Sequence, residues 1–192
     1  HPYVLVGDNQ VLTSKNTHTV WIDTSQRRVQ NKLIDNFENK EEGKFNSRFN
    51  QYEVEVIRKI LCSMNKQISG SENKNRDIAV ISFYAGQVRK LKQMIDSLRQ
   101  NGSVNNLNLR VGTVDQFQGM ERPIVITSLV SSPEKKNGQR KPTTFVKEFR
   151  LINVAFSRAQ SMLIVVGSVD VFNDVPVYVN FGYRKERKKP YK

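Results

Sequence analysis

The chain has 192 residues, enough for one domain with a substantial core, and its 31 Lys+Arg against 18 Asp+Glu leave +13, which favours a polyanionic partner, most often nucleic acid. Cys62 is the only cysteine, so an internal disulfide and the cysteine-rich zinc sites are excluded, and His1 and His18 alone cannot make a metal cluster. No apolar run is long enough to cross a bilayer and no signal peptide opens the sequence, so a soluble intracellular protein, cytoplasmic or nuclear, is expected.

In chain order, residues 1–18 are read as an N-terminal segment open to truncation. Residues 19–24, "TVWIDT", carry the β-branched and aromatic content of a strand. Residues 25–48 are polar and rich in Asn, Lys and Glu, and read as an exposed loop. Asn50 with Glu53 gives a capping signal, and Ile57, Ile60, Leu61, Met64 and Ile68 follow at helical spacing. A polar linker at 69–77 ends that helix. Residues 78–84, "IAVISFY", form an apolar run typical of a strand buried on both faces. Residues 86–102 read as an amphipathic helix stopped by Gly102. Strands are predicted at 109–114 and 123–130, with a basic surface loop at 131–142 between the second and the next helix. That helix, "RLINVAFSRAQ" at 150–160, has Ile152, Ala155, Phe156 and Ala159 on its apolar face. On the helical wheel Arg150, Asn153, Ser157 and Gln160 form a polar stripe opposite the apolar face, and Arg158 lies on the flank of that apolar face, about 80° from Arg150. Residues 162–168 read as a last buried strand. The tail, 183–192, carries six basic residues and one acid, so +5 of the net charge is there and +8 remains for the body.

Alternation of apolar strands with helices predicts an α/β fold: a mainly parallel sheet with helices on both faces. The domain itself is placed at 19–182. Ligands in such sheets gather at the carboxyl ends of the strands, which directs attention to the loops after Tyr84, Val114 and Val130. No G-x-x-x-x-G-K-[ST] loop is present and no G-x-G-x-x-G follows a strand, so the chain alone is not expected to be a complete ATPase.

The stretch "VGTVDQFQGME" (111–121) crowds Thr113, Asp115, Gln116, Gln118 and Glu121 at one strand end. "TVDQFQGMERPIVI" resembles motif V of the superfamily 1 helicases of subgroup B, "RLINVAFSRAQ" resembles their motif VI, and "ISFYAGQVRKL" resembles their motif IV. "FNQYEVEVI" is similar to the Asn-x-x-Glu helix start that precedes motif IV. Order and spacing resemble the second RecA-like domain of the up-frameshift and senataxin-like family, over roughly residues 9–170. The resemblance implies a RecA-like fold and an ATP-dependent helicase, moving 5′→3′ on single-stranded RNA or DNA. It implies ATP bound between this domain and a first RecA-like domain of the same polypeptide, which would supply the phosphate loop and most of the Mg²⁺ ligands. By motif match Arg158 is the arginine finger, and Gln118, Gly119 and Glu121 face the nucleotide. Thr113, Asp115, Arg150, Ser82, Tyr84 and Gln87 match the nucleic-acid side. Gln160 stands where the family often has a basic residue. The alternative from another class is a non-catalytic, helicase-like module for nucleic-acid binding or scaffolding.

Overall fold

The computed structural model describes residues 5–6, 10–11, 18–30, 32–40, 47–69, 76–134, 136–137 and 149–171. The central elements run β1 (Thr19–Asp23), α1 (Gln51–Ile68), β2 (Arg76–Ser82), α2 (Ala85–Gln100), β3 (Leu107–Thr113), β4 (Arg122–Ser128), α3 (Phe149–Phe156) and β5 (Ala159–Gly167). The five strands form one sheet in the order β1-β5-β4-β2-β3. Every neighbouring pair is parallel.

The connectivity dictates which face each helix covers. From β1 to β2 to β3 the chain steps towards one edge, and from β3 through β4 to β5 it steps back. Right-handed crossovers therefore send the outward helices and the returning elements to opposite faces. The packing follows this. Ile78, Val80, Ile126, Ile164 and Val166 share a core with Ile57, Ile60 and Leu61 of α1 and Leu91 and Ile95 of α2. The alternate residues Ala79, Ile81, Val125, Leu163 and Val165 pack with Phe117 and with Ile152 and Ala155 of α3. The period of two along each strand is thus satisfied on both faces, which makes the fold an α/β, RecA-like arrangement.

Three sequence expectations are corrected. Residues 25–48 are not one loop: Gln26–Val29 pairs antiparallel with Lys32–Asp35, and Asn39–Lys40 with Arg48–Phe49. Neither hairpin buries a face, so neither leaves the apolar alternation by which strands are recognised. The helix in "RLINVAFSRAQ" stops at Phe156. Arg158 lies in the turn that follows it, and Gln160 already belongs to β5, so the polar stripe does not extend to them. Ser131 and Ser132, expected on a surface loop, are fully buried. Residues 138–148 of that loop and the tail 183–192 lie outside the described residues, and 1–18 contributes only His18 and the short pairing of Leu5–Val6 with Gln10–Val11.

Gly167 closes β5 against the end of β4. A β-carbon there would stand 2.7 Å from Leu129 Cβ, inside any tolerated contact. Gly167→Ala is expected to lower the unfolding free energy by about 1–3 kcal/mol through overpacking, measured by urea denaturation. An unchanged midpoint would show that Leu129 can move aside.

Candidate nucleotide and nucleic-acid faces

The parallel sheet separates the motif residues into two groups. Arg122 and Ala159 are paired at the amino ends of β4 and β5. Ser82, Ser128 and Thr113 are in register at the carboxyl ends of β2, β4 and β3. Seven strand residues at about 3.3 Å each put roughly 20 Å between the ends.

At the amino end the turn after α3 meets the loop before β4. The Arg122 amide donates to the Arg158 carbonyl at 2.9 Å. The Glu121 carboxylate accepts from Gln160 Nε2 at 3.3 Å, and Arg122 Nη1 donates to the Glu121 carbonyl at 2.8 Å. Arg158 is folded back on the end of its helix: Nε donates to the Val154 carbonyl at 3.0 Å and Nη2 to Ser157 Oγ at 2.9 Å. A cation suits this place, because the last carbonyls of a helix lack intrahelical donors and carry the negative end of its dipole. These bonds leave Nη1 of the half-buried guanidinium unengaged. Gly119 has φ +77°, and a β-carbon there would meet nothing within 4 Å. The glycine is required by the backbone turn, not by crowding, and the space beside it is open. Gln118 and Glu121 are exposed on the same loop.

At the other end Thr113 starts a short 3₁₀ turn, Val114–Phe117. Its amide donates to Gln116 Oε1 at 3.1 Å and its hydroxyl accepts from the Gln116 amide, a reciprocal cap. Gly112 makes room for that return, since a β-carbon would lie 2.5 Å from Gln116 Oε1. Asp115 is exposed on the turn, and α3 packs against it. Arg150 is exposed in the first turn of α3. Since α3 ends beside the amino end of β5, Arg150 lies about 9 Å back towards the carboxyl end.

Ser82 and Gln87 do not reach a surface; both are fully buried. Ser82 Oγ donates to the Ser128 carbonyl at 3.1 Å. Gln87 takes the Asn50 amide on Oε1 at 2.9 Å and donates from Nε2 to Ser128 Oγ at 2.9 Å. Their polar atoms are committed to interior partners, so they are not presented for the direct strand contact expected of them. Tyr84 stands at the N-cap of α2 and packs in the core on the α3 side.

The residue the sequence undervalued is Glu53. Asn50 does cap α1, its side chain accepting from the Glu53 amide at 3.3 Å. The Glu53 carboxylate does not return to Asn50, because Gln87 already holds that amide. It points into the sheet end and accepts from Ser128 Oγ at 2.6 Å, from the Val130 amide at 3.0 Å and from Thr24 Oγ1 at 3.5 Å. Val130 has φ +65°, a left-handed conformation that strains a β-branched residue, and Ser131 N closes a tight turn on the Leu129 carbonyl at 2.6 Å. Every neighbour donates, so the pocket is shaped for an anion. Burial opposes the charge and pushes the Glu53 pKa up to about 7, the hydrogen bonds from Ser128, Val130 and Thr24 acting in the other direction.

The chain belongs to the AAA domain family, whose sequence model matches residues 6–170. Its relatives make it a helicase-family domain. It is 32% identical over 138 residues to RNA helicase Mov10l1 of Homo sapiens, covering 71% of this chain and 11% of that protein. It is 35% identical over 126 residues to DNA polymerase alpha-associated DNA helicase A of Saccharomyces cerevisiae, covering 65% of this chain and 16% of that protein. It is 35% identical over 105 residues to DNA replication ATP-dependent helicase/nuclease DNA2 of the same yeast, covering 55% and 6%. The chain therefore spans less than a fifth of the length of each of these relatives.

The Glu53 environment makes a pH prediction. The unfolded carboxyl ionises above its ordinary 4.5 and the folded one only near 7, so its contribution to stability is complete below 4.5 and is lost as pH rises through about 7. The urea midpoint is expected to fall between those values in the native chain and to fall less in Glu53→Gln. Equal slopes in the two proteins would show that Glu53 does not titrate there.

Proposed function

We propose that this chain is the second RecA-like domain of a superfamily 1 helicase. On this reading it completes an ATP site with its amino-end face and contributes part of a single-strand track with its carboxyl-end face. The observation that carries the proposal is the bond from the Arg122 amide to the Arg158 carbonyl, which ties the motif V loop to the motif VI turn on one exposed edge. Glu121, Arg122 and Arg158 are thereby gathered on one side, at the opposite end of strands about 20 Å long from Thr113, and Gly119 lies on the connection between the two.

In this reading Arg158 is the finger. A guanidinium stays charged and offers a planar fork of donors that matches phosphoryl oxygens. Charge develops on those oxygens as the γ-phosphoryl group leaves, so a donor placed there lowers the barrier. The helix-end carbonyl and Ser157 Oγ fix the Nε and Nη2 side and keep the other side available. Glu121 can accept from nucleotide sugar hydroxyls, and Gln118 and Gly119 line the open approach. Among the described residues no group of three His, Cys, Asp or Glu could hold a metal ion. By the family resemblance Mg²⁺ is assigned mainly to the first domain, which would also supply the phosphate loop. Thr113 and Asp115 at the carboxyl end, with Arg150 part-way towards it at the start of α3, meet the sugar–phosphate backbone, which needs charge and hydroxyls but no base reading. Translocation 5′→3′ follows from the family resemblance. No helix among the described residues is long and apolar enough to cross a membrane.

Arg158→Ala in the complete polypeptide is expected to reduce nucleic-acid-stimulated ATP turnover by about 10³-fold or more, with the folded state retained. Turnover near that of the native protein would remove the finger assignment. Arg150→Ala is expected to weaken oligonucleotide binding and leave basal ATPase intact, and unchanged binding with an unchanged salt slope would take Arg150 off the track.

A further inference from the structure

The described residues hold four exposed large apolar side chains: Val29 at 42%, Leu33 at 62%, Ile34 at 37% and Phe37 at 38%. All lie in one nine-residue stretch. Residues 26–34 also contain Arg27, Arg28 and Lys32 and no acid. The hairpin register interleaves the two kinds of side chain. Arg27 is opposite Ile34, Arg28 opposite Leu33, and Val29 opposite Lys32, so each of these cross-strand pairs joins a cation to an aliphatic group. A ribbon that only needed solubility would not expose these aliphatics, and one that only needed a core would not carry the cations.

Its root is fixed. Asn36 donates from its amide to the Ser25 carbonyl and from Nδ2 to the Thr24 carbonyl, both at 2.9 Å. Glu38 N donates to the Ser132 carbonyl and Ser132 N to the Glu38 carboxylate, both at 2.9 Å. Glu38 is also paired with Arg48. The hairpin therefore stands on the same polar foundation as Glu53. It leaves the carboxyl end of β1, the end of the sheet that presents Thr113. Strands β1 and β3 are the two edges of the sheet, separated by four spacings of about 4.8 Å, so this end is about 19 Å wide. On the order of five stacked nucleotides at 3.4 Å would cross it.

We propose that the hairpin Gln26–Asp35 is a contact surface for single-stranded nucleic acid, extending the track from Thr113 and Arg150 across the carboxyl end of the sheet. This rests on the function proposed above. Arg27, Val29, Lys32 and Ile34 share one face of the ribbon, so Arg27 and Lys32 take backbone phosphates and Val29 and Ile34 lie against base faces. Cation on phosphate with an apolar side chain on the base is the pair of contacts that sequence-tolerant single-strand binding requires. A second copy of the chain would bring two sets of cations together, which the charge disfavours.

The test uses this chain, a fluorescein-labelled 20-nucleotide oligouridylate and fluorescence anisotropy across a salt series. Arg27→Ala/Lys32→Ala is expected to weaken binding about tenfold and to reduce the salt slope by about 1.4, two single-strand phosphate contacts. Ile34→Ser is expected to weaken binding without changing the slope. An oligonucleotide carrying 4-thiouridine should cross-link to residues 26–35 of the native chain. Native binding that drops in Arg150→Ala, with neither hairpin variant changed and no hairpin cross-link, overturns this inference and leaves the proposed function standing. No binding by the native chain at low salt removes both. Self-association lost in Ile34→Ser, with oligonucleotide affinity unchanged, makes the patch a protein interface and also overturns the proposal.

Discussion

One carboxylate, buried among donors, joins three parts of the chain at the carboxyl end of the sheet. Glu53 comes from the first turn of α1 and receives Ser128 and Val130 from the exit of β4 and Thr24 from the exit of β1. It holds Val130 in a conformation a β-branched residue avoids, at a usual expense of about 1–3 kcal/mol. That strain fixes the direction in which the chain leaves β4, and so where Ser131 and Ser132 go. Ser132 in turn anchors Asn36 and Glu38, at the foot of the hairpin. Gln87 closes the circle from α2 by holding both Asn50 and Ser128. A carboxyl end that could have been an open crevice is instead a rigid polar floor.

The amino end is built differently. It has no buried floor, only a short chain of contacts from Arg158 through Arg122 and Glu121 to Gln160. Those side chains stay half-buried or exposed, which is compatible with the shared nucleotide site proposed above. The rigid floor suits a surface over which a polymer passes, and the looser edge suits one that closes around a small molecule. Both are joined by α3, which carries Arg150 at its start and is followed directly by Arg158.

Much of this was legible in the sequence, and for identifiable reasons. The strands at Ile78, Ile124 and Met162 are continuous apolar runs because both faces of the sheet are covered, and α2 shows its stripe because one face is not. The Asn50 cap was readable from its spacing. The destination of Glu53 was not, because a capping glutamate and a buried one look alike until Gln87 is seen to occupy the amide. The solvent-facing hairpins gave no period, so 25–48 looked like loop. The end of α3 was misplaced because Arg158 and Gln160 fit a helical wheel, while the pairing of Ala159 with Arg122 draws the chain into β5 first. The sequence directs attention to the carboxyl ends of the strands, and Thr113 does lie there. Glu121 and Arg158 lie instead near the amino ends of β4 and β5, where the return of the chain along the sheet brings them.

The central claim is that the two ends of the sheet serve different ligands. Amide hydrogen exchange on the complete polypeptide tests it most directly, with an oligonucleotide alone and with a non-hydrolysable ATP analogue alone. The account predicts that the oligonucleotide slows exchange around Thr113–Asp115 and Arg150, and that the nucleotide slows it around Gln118–Arg122 and Ser157–Gln160. Protection of the same end by both ligands, or of each end by the other ligand, would contradict it.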